Sequence, residues 1–210
     1  MDHAAANRRP LKTRSALWAQ SVARGLARTA LTPNQISVAS VLVALVGAAA
    51  VLSLNAPWGL LVCAACIQLR LLCNMLDGMV AVEGGKGTPT GALYNELPDR
   101  VADSLFIVAI GYVVALPWLG WCGALLAALT AYIRAIGGAL GFPQDFRGPM
   151  AKPHRMAVLT GGCLMGAIEA SVWHSDFVLL VAEWLVVLGS LLTCVTRTRA
   201  IARQLETRPR

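Results

Sequence analysis

Long apolar stretches alternate with short polar segments along most of the chain. We interpret the stretches as six membrane-spanning helices, at approximately 36–54, 58–82, 98–116, 118–140, 154–172 and 177–196. Each is long enough for a hydrocarbon core of about 30 Å at roughly 1.5 Å per helical residue. Residues that favour turns, such as Asn55 and Pro57, separate the stretches. The pattern predicts an all-α integral membrane protein with six transmembrane helices.

Composition supports this interpretation and excludes other classes of protein. Of the 210 residues, 57% are hydrophobic and only 14% are charged. A soluble domain carries about 25% charged residues. The chain is therefore not a soluble enzyme, a disordered protein or a secreted disulfide scaffold. The six cysteines all lie in apolar runs, so we interpret them, including the Cys63–Cys66 pair, as small core residues.

The basic residues are placed asymmetrically about the predicted helices. None of the 18 lysines and arginines lies in 51–69, 104–133 or 156–196. They occur near both termini and around the loops after the second and fourth predicted helices. Basic residues accumulate on the cytoplasmic side of membranes. The distribution predicts an integral membrane protein with both termini in the cytoplasm.

The N-terminal segment 1–32 is basic and is predicted to form an amphipathic helix on the membrane surface. Leu11, Trp18, Val22 and Leu26 fall on one helical face, with basic residues around it. Such a helix binds the anionic cytoplasmic leaflet. A disordered basic arm is the alternative. The predicted organisation is this segment, a membrane domain and a basic tail, at 1–32, 33–205 and 206–210.

Polar residues inside the second and third predicted helices are costly in a membrane and therefore indicate function. Positions 70, 74, 77 and 81 share one helical face, and positions 95 or 96, 99 and 103 share a face of the next helix. A short loop makes these helices antiparallel neighbours, so the two faces can meet near the cytoplasmic surface. The candidate oxygen ligands there are Asn74, Asp77, Asn95, Glu96, Asp99 and Asp103.

Oxygen ligands at this density favour a hard divalent cation such as Mg²⁺ or Mn²⁺. Helix capping and ion pairs, for example between Asp99 and Arg70, are the alternative. The glycine-rich segment 83–91 lets a phosphate approach the backbone. Gly78 and Ala81 leave their helix face nearly bare, which admits a flat or bulky ligand.

A second basic group follows the fourth predicted helix on the same side of the membrane. It contains Arg147, Lys152 and Arg155. The last two lie at the start of the fifth helix, where the helix dipole also favours an anion. They are candidates to bind a phosphate or carboxylate. Ordinary positive charge on a cytoplasmic loop is the alternative, especially for Arg147. Glu169 and Glu183, toward the outer side, are assigned no role.

Two motifs on these helices resemble the signature of the CDP-alcohol phosphotransferase family. Residues 74–82 read Asn-Met-Leu-Asp-Gly-Met-Val-Ala-Val, and residues 91–99 read Gly-Ala-Leu-Tyr-Asn-Glu-Leu-Pro-Asp. The family pattern is Asp-x-x-Asp-Gly-x-x-Ala-Arg followed, at the same separation, by Gly-x-x-x-Asp-x-x-x-Asp. The segment Leu-Thr-Pro-Asn at 31–34 is similar to the start of the family's first membrane helix. The resemblance covers nearly the whole chain.

The resemblance implies an enzyme of phospholipid synthesis. In the family, two divalent cations, Mg²⁺ or Mn²⁺, bind between helices two and three. The donor is a CDP-alcohol, usually CDP-diacylglycerol, and an alcohol acceptor displaces CMP. Asp99 is then expected to be the general base. Gly78, Ala81 and Gly91 are expected to make room for the nucleotide. The positive charges of Lys152 and Arg155 favour an anionic acceptor.

Three positions depart from the family pattern. Asn74 and Asn95 replace aspartates, and Val82 replaces the arginine. An amide can ligate a metal but brings no charge, so we expect Glu96 or Asp103 to have become a ligand or a supporting partner. A single strongly held metal, joined by a second only with the donor, is the alternative.

Several questions stay open at this level. Lys86 or Arg70 is a candidate to replace the missing arginine. Glycerol 3-phosphate, an inositol phosphate, serine or a neutral polyol are all possible acceptors. A non-catalytic regulator that binds lipid or nucleotide, or an ion pathway, are the alternative functions. We expect a homodimer surrounded by membrane lipids and no nucleic-acid partner.

The predicted topology is tested by labelling introduced cysteines in intact cells. Cysteines near Asn55, Pro117 and His174 should react with an impermeant reagent from outside, because they lie in the predicted outer loops. Cysteines at Lys86 and Lys152 should not react. External labelling at Lys86 would overturn the cytoplasmic placement of the polar site.

Overall fold

The computed structural model describes residues 17–208, and all regular secondary structure within that range is helical. A short helix, α1 (Leu17–Ala27), precedes six long ones. These are α2 (Pro33–Ser53), α3 (Trp58–Val82), α4 (Gly91–Val113), α5 (Pro117–Ala139), α6 (Lys152–Val172) and α7 (Phe177–Glu206). Each of the six predicted apolar stretches therefore lies in a helix, although several ends differ.

Four of the helices, α2, α3, α5 and α7, are long and apolar enough to cross a membrane. Helices α4 and α6 have similar lengths, with 23 and 21 residues, but are not among these four. Asp99, Arg100 and Asp103 lie on α4, and Lys152 and Arg155 lie on α6. The chain is an all-α integral membrane protein in which these two helices carry most of the candidate site residues.

The helices form a bundle in which α2 packs against α3 and α4, α4 against α5, α6 against α3, and α7 against α5 and α6. Large side chains such as Ile67, Phe106 and Leu159 fill the interior. At the hairpin between α4 and α5, a Cβ on Gly111 would lie 2.6 Å from the Cα atom of Gly120. Two glycines are thus required there, as is common where membrane helices approach closely.

Helix α4 begins at Gly91, seven residues before the predicted start at position 98. Pro98 lies inside it, where its ring nitrogen cannot donate a hydrogen bond to the preceding turn. The sequence pattern treated this proline as the helix start, which is wrong. As a consequence, Asn95, Glu96, Asp99 and Asp103 all lie on one continuous helix.

Helix α1 covers the part of segment 1–32 that the structure describes as helical. Ala19 and Ala23 are buried against Met79 and its neighbours on α3. On the predicted lipid-facing side, Trp18 and Val22 remain exposed, whereas Leu26 packs against this cluster. Leu11, with the basic residues before position 17, lies outside the described residues.

The C-terminal helix fixes the loop that leads into α6. Arg197 of α7 is buried and donates hydrogen bonds to the carbonyl oxygens of Arg147, at 2.8 Å, and Thr130, at 2.7 Å. Thr193, one turn earlier, accepts from the backbone N–H of Met150 at 2.9 Å. These bonds position the start of α6, where Lys152 lies.

At the opposite end of α6 and α7, Glu169 closes the connection between the two helices. Its carboxylate accepts hydrogen bonds from the backbone N–H groups of Phe177, at 3.1 Å, and Val178, at 2.8 Å, and from the Ser175 hydroxyl. The first N–H groups of a helix have no partner within it. Glu169 is therefore a helix cap supplied by a neighbouring helix.

Candidate active site

The polar faces of α3 and α4 meet, as their residue spacing predicts. The Asn74 side-chain amide donates to Oδ1 of Asp99 across the two helices. One turn along α3, Asp77 accepts a hydrogen bond of 2.5 Å from the hydroxyl of Ser37 on α2. The carboxylates of Asp77 and Asp99 are near enough for their charges to interact. The structure therefore brings Asn74, Asp77 and Asp99 into one cluster.

Asp99 is surrounded by positive charge. Nη2 of Arg70 lies 2.9 Å from Oδ1, and Nη2 of Arg100 lies 3.5 Å from Oδ2. Nζ of Lys152, from the first turn of α6, also forms an ion pair with Oδ2. These three cations lie within ion-pair distance of the Asp99 carboxylate and hold it in a fixed orientation.

Asp103 lies one turn deeper and is enclosed by two arginines. Its carboxylate is 2.7 Å from Nη2 of Arg70 and 2.7 Å from Nη2 of Arg155. The Asp103 side chain is only 2% exposed and both arginine side chains are completely buried. A carboxylate in this position joins α3, α4 and α6 by ion pairs.

Two other predicted ligands lie outside this cluster. Asn95 is exposed, one turn before Asp99 on α4. Glu96 forms an ion pair of 2.5 Å with Arg134 of α5, which also donates to Gln144 at 2.5 Å. The Glu96 side chain is 44% exposed. Glu96 therefore ties α4 to α5 and to the loop after it.

Each member of the second basic group already has an acidic partner in this structure. Arg147 binds Asp145, Lys152 binds Asp99 and Arg155 binds Asp103. In the loop between α5 and α6, burial opposes ionisation of Asp145, but hydrogen bonds from Arg147 lower the pKa of that carboxyl. An anionic substrate must therefore compete with these carboxylates or displace them.

The glycine-rich loop between α3 and α4 is fixed by the segment that joins α1 and α2. Nζ of Lys86 donates to the carbonyl oxygens of Thr29, at 2.6 Å, and Leu31, at 3.2 Å. The Asn34 side chain lies 3.4 Å from both Thr88 and Thr90. Lys86 therefore acts here as an anchor of the loop.

The three small residues expected to border the nucleotide, Gly78, Ala81 and Gly91, are all partly exposed. Gly78 and Ala81 lie on the last turns of α3, and Gly91 opens α4. A Cβ on Gly91 would meet only the Thr88 hydroxyl, at 3.6 Å. Free space therefore remains on one side of this position.

The oxygen atoms available to a divalent cation are fewer than the sequence predicts. Within residues 17–208, no three His, Cys, Asp or Glu side chains are grouped so that they could hold a metal ion. Asp103 is enclosed by arginines and Glu96 is bound by Arg134. The carboxylates of Asp77 and Asp99 and the amide of Asn74 remain, and this set of hard donors fits one Mg²⁺ or Mn²⁺.

Sequence reasoning missed one residue of this site. Ser37 of α2 donates a hydrogen bond to Asp77. The only sequence signal for Ser37 was its position just after the Thr-Pro-Asn segment. The contact depends on how the helices rotate against each other.

Comparison with known proteins identifies the family. No model of a known protein family matches the chain. The phosphatidylinositol phosphate synthase of Corynebacterium glutamicum is 31% identical over 192 residues, which cover 85% of this chain and 81% of that protein. The chain belongs to the CDP-alcohol phosphotransferase family.

Solved structures support the same assignment. The phosphatidylinositol phosphate synthase of Mycobacterium tuberculosis with CDP-DAG bound has a TM-score of 0.70 and 26% identity, over 89% of this chain and 94% of that one. The same synthase in complex with manganese and citrate has a TM-score of 0.69 and 26% identity, over 87% and 88% of the two chains. The chain is therefore a CDP-alcohol phosphotransferase that uses a divalent cation.

The enclosure of Asp103 leads to a test that separates an ion-pair anchor from a metal ligand. Asp103→Asn leaves Arg155 buried without its counter-ion and removes one of the two carboxylate partners of Arg70, so we expect the free energy of unfolding to fall by about 3–5 kcal/mol. Unfolding of the purified protein in mixed micelles measures this change.

Glu96→Gln is the matched control, because it removes one carboxylate that is half exposed. Its effect on unfolding should be no more than about 1 kcal/mol. If Asp103→Asn instead unfolds like the parent and only raises the metal concentration needed for activity, Asp103 is a ligand, as the sequence predicts, and not an anchor.

Proposed function

We propose that the enzyme transfers a phosphatidyl group from CDP-diacylglycerol to a hydroxyl of a phosphorylated polyol of the inositol phosphate kind, and releases CMP. The observation that carries the proposal is the meeting of Asn74 and Asp77 on α3 with Asp99 on α4. These are three of the signature positions of the family. The names of the relatives support the acceptor class.

A groove beside the site supports a lipid donor. It has a volume of about 580 Å³ and lies between α2, α4 and α5. Arg100, which contacts Asp99, is at one end, and Tyr112 and Trp121 are among its other lining residues. The side chains between are apolar, for example Leu45 and Val108. An acyl chain in this groove would leave the attached diphosphate near Asp99.

The protein groups then have distinct roles in the transfer. Asp99 takes the proton of the acceptor hydroxyl. As the proton leaves, the hydroxyl oxygen bonds to the phosphorus of the phosphatidyl group, and the bond from that phosphorus to the CMP oxygen breaks. The Arg70 guanidinium group donates to the carboxylate of Asp99, at 2.9 Å, and to the backbone carbonyl oxygen of Asp99, at 3.1 Å. These two bonds hold the Asp99 carboxylate in place. A divalent cation on Asp77, Asp99 and the Asn74 carbonyl oxygen would neutralise the donor diphosphate.

Lys152 is the basic residue best placed to bind the anionic group of the acceptor. Its side chain is 23% exposed, whereas that of Arg155 is completely buried against Asp103. A lysine can move its ammonium group from one anion to another at little cost, because its side chain is flexible. The prediction that Arg155 binds the acceptor directly requires its release from Asp103.

The membrane arrangement belongs to the same proposal. All six long helices, α2 to α7, cross the bacterial inner membrane, and both termini lie in the cytoplasm. The polar helices α4 and α6 are accommodated because their charges pair inside the bundle and not toward lipid. The exposed face of α1, with Trp18 and Val22, lies on the cytoplasmic leaflet. The homodimer and the domain limits 1–32, 33–205 and 206–210 stay predictions.

The function is tested by incubating the purified protein with CDP-diacylglycerol, Mg²⁺ or Mn²⁺ and a panel of alcohols. We expect CMP release and a new phospholipid with an inositol phosphate. Asp99→Asn should lower the rate on the order of 10²–10⁴-fold, because the general base is lost.

Thr198→Ala, an exposed change on α7 outside the site, is the control and should keep the parent rate. Release of CMP only with glycerol 3-phosphate, serine or a neutral polyol would refute the acceptor class. Near-normal turnover of Asp99→Asn would refute the assignment of the base.

A further inference from the structure

The charges in the active site differ from those expected of a site with two metals. The cluster contains three acids, Asp77, Asp99 and Asp103, and the sequence supplies amides at the two positions where the family has further aspartates. Two divalent cations bring four positive charges, which normally require several carboxylates. The charge that the asparagines do not provide must be made up by other groups, or fewer cations must bind.

Asp103 does not make up this charge in the structure. Both of its oxygens face arginines at 2.7 Å, and Arg70 and Arg155 are completely buried. If Asp103 turned toward a metal, the buried Arg155 would lose its counter-ion and Arg70 would keep only Asp99 of its two carboxylate partners, which is a costly arrangement. Asp103 is therefore committed to the arginines, and only Asp77 and Asp99 remain to bind cations from solution.

One of these two carboxylates already has a cation from the chain. Nζ of Lys152 forms an ion pair with Oδ2 of Asp99, and the lysine charge also acts on Asp77. The hydrogen bonds that position the start of α6 come from Arg197 and Thr193 of α7. Lys152 is thus held at the point where α3, α4 and α6 meet, beside the two carboxylates.

We propose that the site holds one divalent cation, on Asp77, Asp99 and Asn74, and that the ammonium group of Lys152 takes the place of a second. This inference rests on the proposed function, because it concerns the same reaction. It assigns Lys152 a second task besides contact with an anionic substrate. A lysine brings one positive charge instead of two, which suits a site that has lost carboxylates to Asn74 and Asn95.

The test measures binding of Mn²⁺ alone to the full-length purified protein, without donor or acceptor, from the electron paramagnetic resonance signal of free Mn²⁺. The parent should bind one Mn²⁺ per chain. Lys152→Ala should bind it on the order of tenfold more tightly, because a positive charge beside the ligands is removed. The double variant Asn74→Asp with Lys152→Ala should bind two Mn²⁺ per chain.

Arg199→Ala is the matched control, because it removes one positive charge from an exposed position on the same side of the bundle. It should leave both the number and the affinity of bound Mn²⁺ unchanged. Lys152→Met, which keeps the length of the side chain, replaces Lys152→Ala if the alanine variant does not fold.

Three outcomes would overturn the inference. The parent could bind two Mn²⁺ without donor, or Lys152→Ala could bind Mn²⁺ with the same affinity as Arg199→Ala. The third outcome is a double variant that binds only one Mn²⁺. A parent that binds two Mn²⁺ and releases CMP would leave the proposed function intact. A parent that binds one Mn²⁺ but releases no CMP with any acceptor would refute the proposed function and not the metal count.

Discussion

Charges buried at one end of an apolar helix bundle must face opposite charges, and this requirement organises the polar end of the protein. Arg70 of α3 bridges Asp99 and Asp103 of α4, and Arg155 of α6 closes the pair from the other side. Removing Asp103 leaves Arg155 without its counter-ion in a medium of low dielectric constant. The ion pairs therefore hold three helices in one relative position.

The proposed chemistry of the site depends on the same pairs. Arg70, Lys152 and Arg100 surround the carboxylate of Asp99, the proposed base, and fix its orientation. Its contact with Asn74 places it opposite the ligand face of α3. The supporting contacts come from further away, since Arg197 of α7 fixes the loop that leads to Lys152. Structure and catalysis thus share one network of charges, which explains how a site so polar is tolerated inside a membrane bundle.

Much of the architecture could be predicted from the sequence, because it depends on local pattern. The apolar stretches gave the six long helices, and the spacing of Asn74, Asp77 and Asp99 placed them on facing helix surfaces. The start of α4 was missed, since Pro98 is a common helix-start residue but here lies within the helix. Helices α4 and α6 are not among the four that are apolar enough to span a membrane, because the residues of the site make these two helices polar.

Apart from the pair of Arg70 with Asp99, which the sequence offered as an alternative, the partners of the charges could not be predicted, because they depend on how each helix rotates against its neighbours. Arg155 and Lys152 are three residues apart, yet the first is buried against Asp103 and the second reaches Asp99. Glu169 likewise became a helix cap only through the packing of α6 on α7. Sequence spacing gives a helix face, but the tertiary contacts decide which residue of that face binds which partner.

We propose the Asp77–Asp99 cluster, with Asp103 held apart by arginines, as the metal-dependent catalytic site. A crystal structure of the protein with Mn²⁺ and a CDP-alcohol, with anomalous scattering to locate the metal, would show which residues bind the cation. We expect a Mn²⁺ peak within coordination distance of Asp77 and Asp99, with Asp103 still between Arg70 and Arg155. A peak coordinated by Asp103 or Glu96, or one remote from α3 and α4, would contradict it.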